Sequence, residues 1–130
     1  MQNKSEKKVE FLSASALSFV GDAVFSLLVR QHLCLKYDYK SGELTKRTAR
    51  FVCAKFQSAV LSKIEPILTE EESELVKRCR NANTKSMAKN ASPADYHRAS
   101  GLEGLVGFLH LNNKTDRLNQ IMDIVFEQNI

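Results

Sequence analysis

Two carboxylates stand out by the residues around them. Asp22 lies in Leu17-Ser18-Phe19-Val20-Gly21-Asp22-Ala23-Val24-Phe25, and Glu103 lies in Gly101-Leu102-Glu103-Gly104-Leu105-Val106-Gly107-Phe108-Leu109. Four of the five glycines, at 21, 101, 104 and 107, flank one acid or the other. Both stretches have helical spacing, and glycine inside a helix costs roughly 1 kcal/mol relative to alanine. A chain that accepts that cost places something close against the backbone there. Two acids on helices thinned by glycine point to a place where helices pack closely and oxygen ligands converge. Mg²⁺ requires oxygen ligands and keeps several waters for chemistry. By itself, Asp22 also reads as a solvated acid on an ordinary helix.

The elements that must position these acids read as helices. A first helix is expected from about Glu10 to Leu33, with Leu12, Ala16, Phe19, Val20, Ala23, Val24, Leu27 and Leu28 as its apolar stripe. Asp22 falls outside that stripe, on the side of Ser15 and Ser18. Ser41 is placed to cap a helix starting at Gly42. From Leu44 to Ile64 there is no acid, and Phe51, Val52, Phe56, Val60, Leu61 and Ile64 form a stripe. Pro66 breaks the pattern. Thr69-Glu70-Glu71-Glu72 restarts it as a capping box, with acids at the positive helix end.

Ser92-Pro93 opens another helix, the Glu103 helix follows to about Asn112, and a last one runs from about Thr115 to Glu127. No strand alternation or hairpin signal occurs. The fold class expected is all-α, with about six or seven helices in one bundle-like domain over residues 1–130. Residues 1–9 are expected to form a mobile or partly helical lead-in.

A chain of 130 residues suffices for one sizeable core. Its net charge of +4 tilts it toward a polyanionic partner. Lys46, Arg47, Arg50, Lys55 and Lys63 make the acid-free helix basic, and Arg47 and Arg50 are the two best placed for phosphate. Between Leu75 and Ala94 there is again no acid, against Lys77, Arg78, Arg80, Lys85 and Lys89. The helix dipole accounts for Lys77 and Arg78 at a helix end, but it does not reach Lys85 or Lys89. This second basic run is the expected contact with the phosphates of a nucleic acid. Cys34, Cys53 and Cys79 have no zinc spacing and read as reduced thiols. No signal peptide or membrane span is visible, and the expected compartment is the cytoplasm.

Val20-Gly21-Asp22-Ala23-Val24-Phe25 resembles the signature helix of the ribonuclease III catalytic domain, and Glu103-Gly104-Leu105-Val106-Gly107 resembles its second acidic motif. Lys77-Arg78-Cys79-Arg80-Asn81-Ala82 and Tyr96-His97-Arg98-Ala99-Ser100 extend the likeness to the Mini-ribonuclease III branch, which lacks a double-stranded-RNA-binding domain. The resemblance implies an all-α homodimer that hydrolyses phosphodiesters in double-stranded RNA and leaves 5′-phosphate and 3′-hydroxyl ends. It implies Mg²⁺, with Mn²⁺ able to replace it, held by Asp22 and Glu103 as the catalytic pair. It also implies a precursor of large-subunit (23S) ribosomal RNA as substrate, with ribosomal proteins or pre-ribosomal particles as further partners and no membrane. Without a separate binding domain, the basic surface must hold the duplex by shape and phosphates.

The resemblance has gaps. The longer enzymes carry acids one and two turns before the signature Asp, where this chain has Ser18 and Ser15. They carry another three residues before the second Glu, where it has Ser100. That weakens the case for a second tightly held metal and leaves Ser100 and Gly21 as supporting residues. Two other readings are a catalytically silent RNA- or ribosome-binding scaffold and a helical interaction module. The first has no need of either carboxylate; the second predicts neither metal dependence nor a preference for duplex RNA. Phe25 and Val29, off the expected core stripe, are the candidate dimer face.

Overall fold

The computed structural model describes residues 6–82 and 92–128. These form six α-helices and two 3-10 turns, with no strand among the described residues. The helices are α1 (Ala14–Lys36), α2 (Ser41–Val52), α3 (Ala54–Ile64), α4 (Glu70–Ala82), α5 (Pro93–Leu111) and α6 (Thr115–Phe126). The all-α class is as expected. Lys85 and Lys89, named as RNA contacts, lie outside the described residues.

The fold is built around α5. Ala99 to Leu102, Gly104 to Gly107 and Leu109 are all buried, so little of its circumference is polar. It packs on α1, α3, α4 and α6, most extensively on α1. One continuous helix replaces the two expected between Pro93 and Asn112, because Gly101, Gly104 and Gly107 are places of close packing rather than breaks. Ser92 caps it, accepting from the Asp95 amide at 3.1 Å, with Pro93 at its first turn.

The acid-free run is two helices, not one. Cys53 takes extended backbone angles between α2 and α3 and turns the chain. Ser41 lies inside α2, and Lys40 holds the cap position without a side-chain bond, so the expected serine cap is absent. The Thr69 capping box is present: the Thr69 amide donates to Glu72 at 2.9 Å, and the Glu72 amide donates to the Thr69 hydroxyl at 3.1 Å. Arg117 of α6 grips the same Glu72 carboxylate through two nitrogens, at 2.6 and 2.9 Å. That grip holds the carboxyl below the usual carboxylate range and ties α6 to the start of α4.

The first helix requires two corrections. It starts at Ala14 on a Ser13 cap, after a 3-10 turn at Val9–Phe11, not at Glu10. Its buried face is also rotated from the expected stripe. Leu17, Gly21, Val24, Phe25, Val29 and Leu33 face the core, whereas Phe19 is 81% exposed and Ala23 and Leu27 face solvent. Phe25 and Val29 are fully buried and therefore cannot be the dimer face. Apolar residues occur nearly all round α1, so spacing alone did not select the side. What selects it is Gly21, the one glycine of that helix, which lets α1 meet the backbone of α5.

Candidate active site

Asp22 and Glu103 come together where α1 crosses α5. A Cβ on Gly21 would overlap the carbonyl of Glu103, and one on Gly107 would overlap the carbonyl of Leu17. The two glycines thus interlock, and the helix carrying one acid touches the backbone that carries the other. Gly104 gives the same clearance to the Cys79 side chain of α4. Ser18 adds a polar tie, its hydroxyl donating to the Ser100 carbonyl at 2.8 Å. Arg98 fixes the third wall by donating to the Ser58 hydroxyl and carbonyl, both at 3.2 Å, and to Ser62 at 2.8 Å, which binds α5 to α3.

The result is a cleft of about 600 Å³ between α1, the α2–α3 junction and α5. Ser15, Ser18 and Asp22 line one side, Gln57 another, and Ser100 and Glu103 the third. Asp22 is exposed at the rim, while Glu103 lies deeper. Burial and the neighbouring Asp22 carboxylate push the Glu103 carboxyl up to about 8, against an ordinary 4.5. Gln57 Nε2 donates to Glu103 Oε2 at 3.4 Å and opposes that rise.

Gln57 is the site residue that the sequence reading passed over. It is 2% exposed and shares a helical face with Val60, Leu61 and Ile64. A glutamine at an apolar-stripe position must find a hydrogen-bond partner inside, and that was the available signal.

The acids form an oxygen-donor set suited to a hard cation. Among the described residues no group of three or more His, Cys, Asp or Glu could hold a metal, so a closed protein cage is absent. Two carboxylates fit an ion that keeps most of its waters, as Mg²⁺ does. The raised Glu103 carboxyl marks a crowding of acids that no cation among the described residues balances, and a bound cation would relieve it.

This carries a pH prediction. Metal-free protein is expected to lose stability as pH rises from about 5 to about 8. The unfolded chain releases the Glu103 proton near 4.5 and the folded chain keeps it to about 8, so raising the pH favours unfolding. Glu43 and Glu72, held low by Arg47 and Arg117, act below this window. His32, pulled down by burial, acts in the opposite sense, so the comparison needed is with Glu103→Gln, in which that contribution is unchanged. Thermal denaturation in chelator should show the wild type falling relative to the variant as pH rises; parallel curves would contradict the assignment.

The structure separates the basic candidates from the acids. Arg47, Arg50, Lys77, Arg78 and Arg80 do not line the cleft. Lys77 and Arg78 border a groove with Glu71, Glu74 and Phe108. Arg80 lies beside His97 and Arg98, and Arg47 and Arg50 share a pocket with aromatic side chains. Ser100 lies on the wall of the cleft and Gly21 under Glu103.

An all-helical fold with one acid on each of two interlocked helices defines a class, and the comparisons agree with it. The chain belongs to the ribonuclease III family of endoribonucleases, whose domain it matches over residues 15–114. Within that family its likeness is to Mini-ribonuclease 3. It is 44% identical to the Mini-ribonuclease 3 of Brevibacillus brevis, over 85% of this chain and 82% of that one. It is 33% identical to that of Staphylococcus aureus, over 98% of this chain and the whole of the other. A crystal structure of a Fusobacterium nucleatum protein superposes with a TM-score of 0.84 at 30% identity, covering 94% of this chain and 98% of that one. No helix among the described residues is long and apolar enough to cross a membrane.

Proposed function

We propose that this protein is a Mg²⁺-dependent endoribonuclease that cleaves double-stranded RNA to 5′-phosphate and 3′-hydroxyl ends. Its proposed substrate is a stem of the large-subunit (23S) ribosomal RNA precursor in the cytoplasm. The observation that carries this reading is the meeting of Asp22 and Glu103 in one cleft across the Gly21–Gly107 contact. Asp22 and Glu103 would hold Mg²⁺, which when bound would make a water acidic enough to lose a proton and so become a nucleophile toward phosphorus, and would supply charge to offset that on the leaving oxygen. Asp22, at the rim, is the acid nearer an incoming phosphate. Glu103 must give up its proton before it can bind a cation, so its raised carboxyl makes occupancy fall with falling pH. Gln57 orients the Glu103 carboxylate, acting through Glu103 and not on the RNA.

Replacing Gln57 with leucine is expected to raise the Mg²⁺ concentration needed for half-maximal cleavage by about tenfold or more. A loss of thermal stability with an unmoved Mg²⁺ requirement would reduce Gln57 to a packing residue.

The homodimer belongs to the same proposal. Phe19, Ala23 and Leu27 repeat every fourth residue along the exposed face of α1, and Phe19 also lines the cleft. An apolar row of this kind invites a second copy, whose seam would run along the rim of the acid site. Phe19→Ser should give monomers at concentrations where the wild type sediments as a dimer. An unchanged sedimentation profile would remove α1 as the interface. Lys77, Arg78, Arg80, Lys85 and Lys89 are proposed to hold duplex phosphates, with ribosomal proteins or pre-ribosomal particles as further partners.

The test of the function is a paired RNA incubated with Mg²⁺, beside its separate strands and a precursor ribosomal stem. Cutting confined to paired RNA, with products that carry a 5′-phosphate, supports the proposal. Equal cutting of single strands would overturn the duplex assignment.

A further inference from the structure

A second pocket, of about 230 Å³, lies at the far end of α1 from the acids. It is walled by His32, Tyr37, Tyr39, Arg47, Arg50 and Phe126. His32 is ten residues beyond Asp22, about 15 Å along the helix. None of these six residues lines the acid cleft.

The ring faces in this pocket are already occupied. His32 stacks on Phe126 with centroids 3.8 Å apart, and Tyr37 stacks on Tyr39 at 5.1 Å. The Arg47 guanidinium covers Tyr39 at 4.9 Å from its centroid, and the Lys36 ammonium approaches Tyr37 at 5.9 Å. A base therefore has no free sandwich to enter, and stacking is not what the pocket offers. It offers donor edges from two guanidinium groups, two phenols and an imidazole. Glu43 pairs with Arg47 at 2.7 Å. The Arg50 guanidinium has neither an ion pair nor a hydrogen bond among the described residues. Glu43 is near enough to feel the Arg50 charge but does not bond it, and a planar fork with its hydrogen-bonding edge unused beside other donors matches the oxygens of a phosphate group.

We propose that this pocket is a phosphate site that takes a nucleotide phosphomonoester, from a free nucleotide or from the 5′-phosphorylated end of an RNA strand. A monoester presents three terminal oxygens and close to two charges, enough to engage Arg50 and compete with Glu43 for Arg47. The volume admits a phosphate with its sugar and not a paired helix, which selects a chain end over the body of a duplex. The site goes beyond the duplex-cleaving reading and does not depend on it.

The experiment is a nuclear magnetic resonance titration of the full chain without Mg²⁺, using adenosine monophosphate and the dinucleotides pApA and ApA. Adenosine monophosphate or pApA should shift the resonances of His32, Tyr39 and Arg50, and ApA should not. Binding of pApA alone identifies a strand end as the source, and equal binding of the mononucleotide identifies a free nucleotide. Arg50→Gln should weaken binding about tenfold. If that variant fails to fold, Arg50→Lys keeps the charge without the fork and should lose several-fold. The proposal is overturned if neither phosphorylated probe binds, if ApA binds as well, or if the folded Arg50 variant binds unchanged. Because neither Mg²⁺ nor cleavage enters the titration, that failure leaves the acid cleft and its nuclease reading untouched.

Discussion

Gly107→Ala is expected to destabilise the protein by at least about 3 kcal/mol, with a fall in Tm of roughly 10 °C or more. The added methyl would overlap the Leu17 carbonyl and lie 2.9 Å from the Gly21 nitrogen. Both are backbone atoms of α1, so no side chain can turn aside; the helices must separate. Separation loosens the Leu17 and Phe25 packing and moves Glu103 away from Asp22. A displacement near 1 Å at a reacting centre costs on the order of a hundred-fold in rate. Gly42→Ala is the matched control, since nothing lies within 4 Å of a Cβ there. It should be neutral or stabilising by up to about 1 kcal/mol, because alanine is the better helix former. Similar losses from both variants, measured by thermal denaturation, would contradict the interlocked-helix account.

Glu103→Gln should move activity and stability in opposite directions. Cleavage with Mg²⁺ should fall on the order of a thousand-fold, about 4 kcal/mol of transition-state stabilisation, because one of the two proposed carboxylate ligands is gone. In chelator at pH 8 the same variant should melt higher than the wild type, because it removes a buried charge held beside Asp22. Cleavage rates and melting curves on one preparation decide it. Lower activity with lower stability would mean that Glu103 is a packing residue whose loss unfolds the site.

The Thr69 capping box, the Ser92 cap and the extent of α6 were legible in the sequence because each depends on neighbours within a turn or two. The acid pair was legible because glycines at helical positions have few causes other than close contact. The orientation of α1 was not. Phe19, Val20, Ala23 and Leu27 fit a helical period as well as Leu17, Val24 and Phe25 do, and only α5 distinguishes them. Centring the buried face on Gly21, the residue already read as a point of close approach, would have chosen correctly. Gln57 was missed for a related reason: its partner, Glu103, lies on another helix and is invisible to local spacing. The bend at Cys53 has no proline or glycine to announce it. The separation of Arg47 and Arg50 from the acids followed from that bend and from the path of α2.

Asp22 and Glu103 are proposed to form the metal-dependent centre that cuts duplex RNA. The most direct test is cleavage of a perfectly paired RNA by wild type, Asp22→Asn and Glu103→Gln, with Mg²⁺ and with chelator, alongside duplex binding by each. Cutting by the wild type only with metal, abolished in both variants while binding persists, is the predicted result. Binding without cutting by the wild type, or cutting that survives both substitutions, would contradict it.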